Sequence, residues 1–166
     1  KDCVCKSVFL SKKQIESGIK KTKWAGRLEI IKKQSNTYFI DGAHNTHSIT
    51  QLIKSLKELS PQNKYEIIFG ATYGHSFNMM INKILEISDK IYFVKSRHPK
   101  SVPTSILTKN KNLKNIEYYE TGNIKNAIKL TQIQNNKKVL ITGSLSVVSE
   151  ALEYLNNISP ELYPYI

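Results

Sequence analysis

Apolar positions along this chain change period repeatedly, and the changes trace alternating strands and helices. Ile15 and Ile19 sit at helical spacing in the stretch 10–21, with Ser11 placed to cap it. Short apolar runs follow at 28–31 and 37–40, flanking Gln34-Ser35-Asn36 as a hairpin turn. Ile49, Leu52, Ile53, Leu56 and Leu59 form one helical stripe, which Ser60-Pro61 ends. The run 65–69 then reads as a strand closed by Gly70. Met79, Met80, Ile84, Leu85 and Ile87 mark the next helix, with both methionines as core filler. Beyond it come a strand at 91–94, a short helix at 104–111 and a strand at 116–119. The pattern closes with a helix at 123–134 turning Ala127, Ile128 and Leu130 inward, an apolar strand at 139–142 and a helix at 145–155.

Strands that alternate with helices of this length specify βαβ units. The predicted fold is α/β, a Rossmann-like and mostly parallel sheet with helices on both faces, plus an antiparallel hairpin near the N-terminus. The chain divides into an extension and linker helix over 1–23, a domain over 24–158 and an irregular tail over 159–166.

A length of 166 residues suits one such domain, able to bury roughly 70% of the surface its unfolded chain exposes. Cys3 and Cys5 are too close together to close a useful loop and too few for a zinc site, so they read as reduced thiols. No run is long and apolar enough to cross a bilayer, and the reading is of a cytoplasmic, monomeric protein with no membrane partner. The net charge of +12 raises nucleic-acid binding as a possibility. Only Arg27 and Arg97 among the basic residues carry the fork that reads phosphates and base edges, however, and the lysines are scattered in pairs. A solvated basic surface that attracts anionic small molecules is the simpler reading.

Chemistry concentrates at strand-to-helix junctions. Asp41-Gly42-Ala43-His44-Asn45 follows an apolar strand and precedes a helix, an arrangement by which open α/β sheets build ligand sites. The same residues also suit an Asp-Gly turn with an Asn or Thr cap and no ligand. Thr142-Gly143-Ser144-Leu145 repeats the arrangement, and Ser144 is either an anion-receiving hydroxyl or an ordinary helix cap. Arg27 is either a phosphate clamp or a surface ion-pair partner of an acid such as Glu29, and Trp24 beside it is a packing anchor. His44 and His47 have H-x-x-H spacing with no third ligand, which excludes zinc. Neither G-x-G-x-x-G nor G-x-x-x-x-G-K-[ST] occurs, so any ATP chemistry must borrow its phosphate loop from elsewhere.

Trp24-Ala25-Gly26-Arg27-Leu28-Glu29, then Asp41 to Asn45, then Thr142 to Leu145, in this order and spacing, resemble the carboxy-terminal domain of folylpolyglutamate synthase / dihydrofolate synthase, a member of the Mur ligase superfamily. The likeness runs from about Leu10 to about Leu155. It implies an ATP-dependent ligase domain that adds L-glutamate to folate or dihydropteroate through an acyl phosphate. It further implies a separate P-loop domain that carries most of the ATP and magnesium binding, without which this chain is inert. Carried over residue by residue, the resemblance makes Arg27 a clamp on the ATP phosphates and His44 a contact to the incoming glutamate or the reacting phosphate, the two catalytic groups. Asp41 falls on the ribose hydroxyls, Asn45 orients substrate or caps its helix, Ser144 lies near the glutamate, and Lys100 stands in a loop near the adenine side.

The chain departs from relatives at Thr46, where proline is usual, and at Ser146, where tyrosine is frequent. It also carries Tyr73-Gly74-His75-Ser76-Phe77 where they commonly have an Asp-Lys-Asp element. Other readings are a domain of a different Mur-type ligase, a non-catalytic relic, or a basic nucleic-acid-binding module.

Overall fold

Every carboxyl end of the five parallel strands opens on one edge of the sheet, and that edge is where the motifs fall. The computed structural model describes residues 10–22 and 24–160; Cys3, Cys5 and the end of the tail lie outside them. In chain order the strands are β1 (Glu29–Lys33), β2 (Asn36–Ile40), β3 (Tyr65–Phe69), β4 (Ser88–Val94), β5 (Glu117–Gly122) and β6 (Lys138–Thr142). They form one sheet in the order β1-β2-β6-β3-β4-β5. β1 is antiparallel to β2, and the remaining neighbours are parallel. This is the predicted Rossmann-like sheet with its N-terminal hairpin.

The helices are α1 (Lys12–Lys21), α2 (Thr46–Leu59), α3 (Phe77–Ile84), α4 (Thr104–Leu107), α5 (Ile124–Gln132) and α6 (Leu145–Asn156). Alternation of side chains along each strand feeds two cores. Tyr65, Ile67 and Phe69 of β3 join Ile49, Leu52 and Leu56 of α2 and Met80, Ile81 and Ile84 of α3 on one face. Ile68 joins Val139 and Ile141 of β6, Ile128 of α5 and Val147 and Ala151 of α6 on the other. β3 is buried over its whole length, as a strand covered on both faces should be.

Several elements differ in detail from the sequence pattern. The hairpin turn is the two residues Gln34 and Ser35, and Asn36 belongs to β2, where its buried side-chain amide donates to the Thr131 carbonyl at 2.8 Å. Leu59 and Met79 are exposed, and Leu130 is partly so, because α2, α3 and α5 each bury a stripe narrower than their apolar sequence. Met80 alone of the two methionines is core. The helix at 104–111 is only α4, followed by a 3₁₀ turn at Lys111–Asn115. β5 runs to Gly122 as an exposed edge strand.

Among the described residues one carboxylate is sealed inside this frame. Glu66 of β3 is 2% exposed; its carboxylate accepts from the Tyr92 hydroxyl at 3.0 Å and pairs with Lys137 at 3.5 Å. Burial, with the Glu66 carboxylate beside it, pushes the Tyr92 phenol well above its usual value. A raised folded-state value means that this group's contribution is complete below the unfolded phenol value of about 10 and is lost as pH climbs past it. We predict that Tyr92→Phe costs about 1.5–3 kcal/mol at neutral pH by removing a donor from a buried carboxylate. In urea titrations the wild type should lose stability between neutral pH and pH values above about 10. Tyr92→Phe should lose less over the same range, with burial of the Tyr65 phenol leaving a residual slope.

Candidate functional site

The position of β6 creates the site. It lies between β2 and β3, yet β2 and β3 lead into α2 and α3 on one face of the sheet, whereas β6 leads into α6 on the other. Loops that diverge to opposite faces from adjacent strands leave a crevice at their carboxyl ends. A cleft of about 540 Å³ opens there, lined by His44 after β2, Thr72, Tyr73 and His75 after β3, His98 and Lys100 after β4, and Ser144, Leu145, Ser146 and Ser149 after β6.

The backbone at this edge is tightly laced. Gly143 N–H donates to the Ala43 carbonyl at 3.0 Å, and Gly42 N–H donates to the Gly26 carbonyl at 2.8 Å. Gly143 has φ +109°, and a Cβ there would strike the Gly70 carbonyl and the Phe69 ring. Glycine at this turn therefore permits both the left-handed backbone and the close approach of β6 to β3.

Asp41 holds the first two motifs together. One carboxylate oxygen accepts from Leu28 N–H at 2.8 Å, and the other accepts from Ala43 N–H at 2.9 Å. Leu28 has φ +44°, an uncommon conformation for a branched residue, and the bond to Asp41 fixes it. Gly26 N–H donates to Glu29 at 2.9 Å. Arg27 is thus carried beside the end of β2, but exposed, with its guanidinium over the Trp24 ring at 5.9 Å. The surface salt bridge to Glu29 considered from sequence does not form; that carboxylate accepts from Gly26 N–H, and the guanidinium lies over Trp24. Trp24, read as a packing anchor, is 73% exposed.

His44 enters the cleft in a defined state. Its Nδ1 lies 2.8 Å from the Gly42 carbonyl, which can only accept, so Nδ1 carries the proton and Nε2 is left for a ligand. Asn45 caps α2, its side-chain oxygen accepting from Ser48 N–H at 2.8 Å, while the Ser48 hydroxyl accepts from the His44 and Asn45 N–H groups. The capping alternative for Asn45 is the one seen in this chain. His47 points elsewhere, exposed on α2. Ser144 likewise caps α6 through Val147 N–H at 3.2 Å. Its hydroxyl also meets that of Ser146 at 3.0 Å, and Ser146 meets Ser96 at 2.9 Å.

The loop after β4 is pinned by its arginine. Arg97 pairs with Glu150 and Glu153 of α6, and its N–H donates to Glu150 at 2.6 Å. Burial nonetheless holds the Glu150 carboxyl above its ordinary value. Thus fixed, the loop presents Lys100 and His98 to the cleft. Lys100 N–H donates to His98 Nδ1 at 3.1 Å, which leaves His98 Nε2 as the protonated nitrogen of the neutral ring.

Of the residues singled out by sequence, His44, Lys100 and Ser144 line the cleft, whereas Arg27, Asp41 and Asn45 are not in its lining; Asp41 and Asn45 lie in the segment after β2, and Arg27 in the segment hydrogen-bonded to it. Sequence reasoning missed Thr72, Tyr73, His75 and Ser149 as cleft residues. The available signal was their position just after β3 or on the first turns of α6. Among the described residues no group of three or more His, Cys, Asp or Glu could hold a metal ion, and no helix is long and apolar enough to cross a membrane.

Residues 26–145 match the family model described as Mur ligase, glutamate ligase domain. The chain is similar to dihydrofolate synthase/folylpolyglutamate synthase of Bacillus subtilis, 27% identical over 143 residues, which is 85% of this chain and 33% of that protein. Among solved structures it resembles folylpolyglutamate synthase of Thermotoga maritima at a TM-score of 0.72 and 26% identity, covering 90% of this chain and 34% of that one. It also resembles bifunctional folylpolyglutamate synthase/dihydrofolate synthase of Yersinia pestis complexed with AMPPNP and Mn ion, at a TM-score of 0.75, 20% identity, and coverage of 90% and 35%. The chain therefore spans about a third of the length of these relatives.

The lacing around Asp41 yields a test. We predict that Asp41→Ala, which strands the N–H groups of Leu28 and Ala43, destabilises the protein by about 2–4 kcal/mol in urea unfolding, with Asp41→Asn losing roughly half as much.

Proposed function

Because the chain belongs to the Mur ligase, glutamate ligase domain family, we propose that it is the carboxy-terminal domain of an ATP-dependent ligase that adds L-glutamate to folate or dihydropteroate. The observation that carries this reading is the cleft at the end of β6, which offers one imidazole with a directed nitrogen, a lysine and a capped helix start, and has no acidic side chain in its lining. Such a wall suits a carboxylate and a phosphoryl group.

In the proposed reaction an amine attacks a carboxyl group activated as an acyl phosphate, so the protein contributes mostly position and charge complementarity. His44, with Nδ1 tied to Gly42, presents Nε2 to the incoming glutamate. Ser144, at the start of α6, receives its carboxylate. Lys100 and the exposed Arg27 approach the nucleotide from two sides, Arg27 with the delocalised fork that matches phosphate. Asp41 spends one acceptor position of each oxygen on backbone, and a carboxylate has about four, so contact with ribose hydroxyls is compatible with its bracing role.

The cleft lining fits magnesium poorly, since a hard cation takes oxygen ligands and no carboxylate faces it. Magnesium and the triphosphate cradle are assigned to a P-loop domain outside this chain, and the domain alone is inert. The Yersinia relative's complex with AMPPNP and Mn ion supports the nucleotide part of this assignment.

The test is reconstitution with the matching P-loop domain, ATP and tritiated glutamate, measuring folate-dependent amide formation. His44→Ala and Arg27→Ala should each lower turnover by about 10²–10³-fold. Equal turnover by the wild type and both variants would overturn the assignment.

A further inference from the structure

The segment Tyr73 to Phe77 brings into the cleft a side chain whose role the family assignment does not specify. His75 follows Gly74, whose φ of +96° turns the chain back after the bridge between Thr72 and Ser101. Its ring packs against His44, centroids 5.2 Å apart and planes at 62°. Neither ring nitrogen of His75 has a hydrogen-bond partner among the described residues, and the side chain is exposed on the cleft wall. Lys100 faces the same space, and its ammonium has no partner among the described residues either.

An unpartnered imidazole beside a second imidazole, across from an ammonium and with no carboxylate in the lining, shares one chemical use with that ammonium. His75 and Lys100 can each donate to an oxyanion. We propose that His75 is a second imidazole ligand in this cleft, contacting the carboxylate or phosphoryl oxygen of the bound substrate beside His44. The edge contact between the rings serves this directly. His44 is anchored through Nδ1 to Gly42, and the His75 ring packs against the anchored ring. The other titratable groups facing the pair are Tyr73, from the same segment, with His98 and Lys100 from the loop after β4.

This inference rests on the proposed reading of the cleft as the substrate site and adds a residue to it. The test follows the imidazole signals of all four histidines of the full chain by NMR while inorganic phosphate and L-glutamate are added in separate titrations. His75→Asn, a change at an exposed position, serves as the variant, with its thermal midpoint recorded to establish that the fold is intact. Saturable shifts of both His44 and His75 in one titration, with affinity for that anion about tenfold weaker in His75→Asn, are the expected result. The phosphate and glutamate arms identify which oxyanion His75 meets. If His44 shifts, His75 stays silent and His75→Asn binds as tightly as wild type, the role of His75 is refuted and the substrate-site reading stands. If neither histidine responds to either anion, that reading fails and the role of His75 fails with it.

Discussion

The close approach of three strand ends governs this molecule. β6 enters the sheet last and is wedged between β2 and β3, so its first residue beyond the strand must pass against the Gly70 carbonyl. Only a residue without a side chain can do so with φ +109°. The backbone bonds from Gly143 to Ala43 and from Gly42 to Gly26 then tie the ends of β6 and β2 to the segment that precedes β1. Because β6 exits to the opposite face from its neighbours, this crowding of backbone is also the floor of a cleft.

Chemistry is mounted on that floor by side chains that serve the fold at the same time. Asp41 fixes the backbone of Leu28 and Ala43, and so holds the segment bearing Arg27 against the end of β2. Asn45 and Ser144 cap the helices that flank the opening, and the Gly42 carbonyl sets the tautomer of His44. Such double duty makes the site rigid on the β2 and β6 sides. The contrast is with Arg27 and Trp24, whose stacked side chains stand in solvent beside the motif that opens the family match. A cation left exposed in this way is suited to meet a ligand held by another body, which is the division of labour proposed for the P-loop domain.

Much of this was readable in the sequence because the relevant signals are local. Period changes placed every strand, and the capping residues Ser11, Asn45 and Ser144 sit where the motifs put them. The misreadings arose where tertiary packing decides. Leu59, Met79 and Leu130 are apolar and correctly phased, yet their helices present them to solvent, which periodicity cannot foresee. Trp24, expected to anchor packing, instead stands exposed beneath the Arg27 guanidinium. His75 was noted only as part of the segment that replaces an Asp-Lys-Asp element, and no motif gave it a site role. Its place in the cleft comes from the β3-to-α3 loop folding beside His44, a contact between residues thirty-one positions apart that only the sheet order creates.

The most direct measurement is a crystal structure of this chain bound to the matching P-loop domain with L-glutamate and a non-hydrolysable ATP analogue. The account predicts ligand density in the cleft at the end of β6, within hydrogen-bonding distance of His44 and Ser144, with Arg27 turned from Trp24 toward the phosphates. Density for both ligands on any other face, with the cleft holding solvent alone, would contradict it.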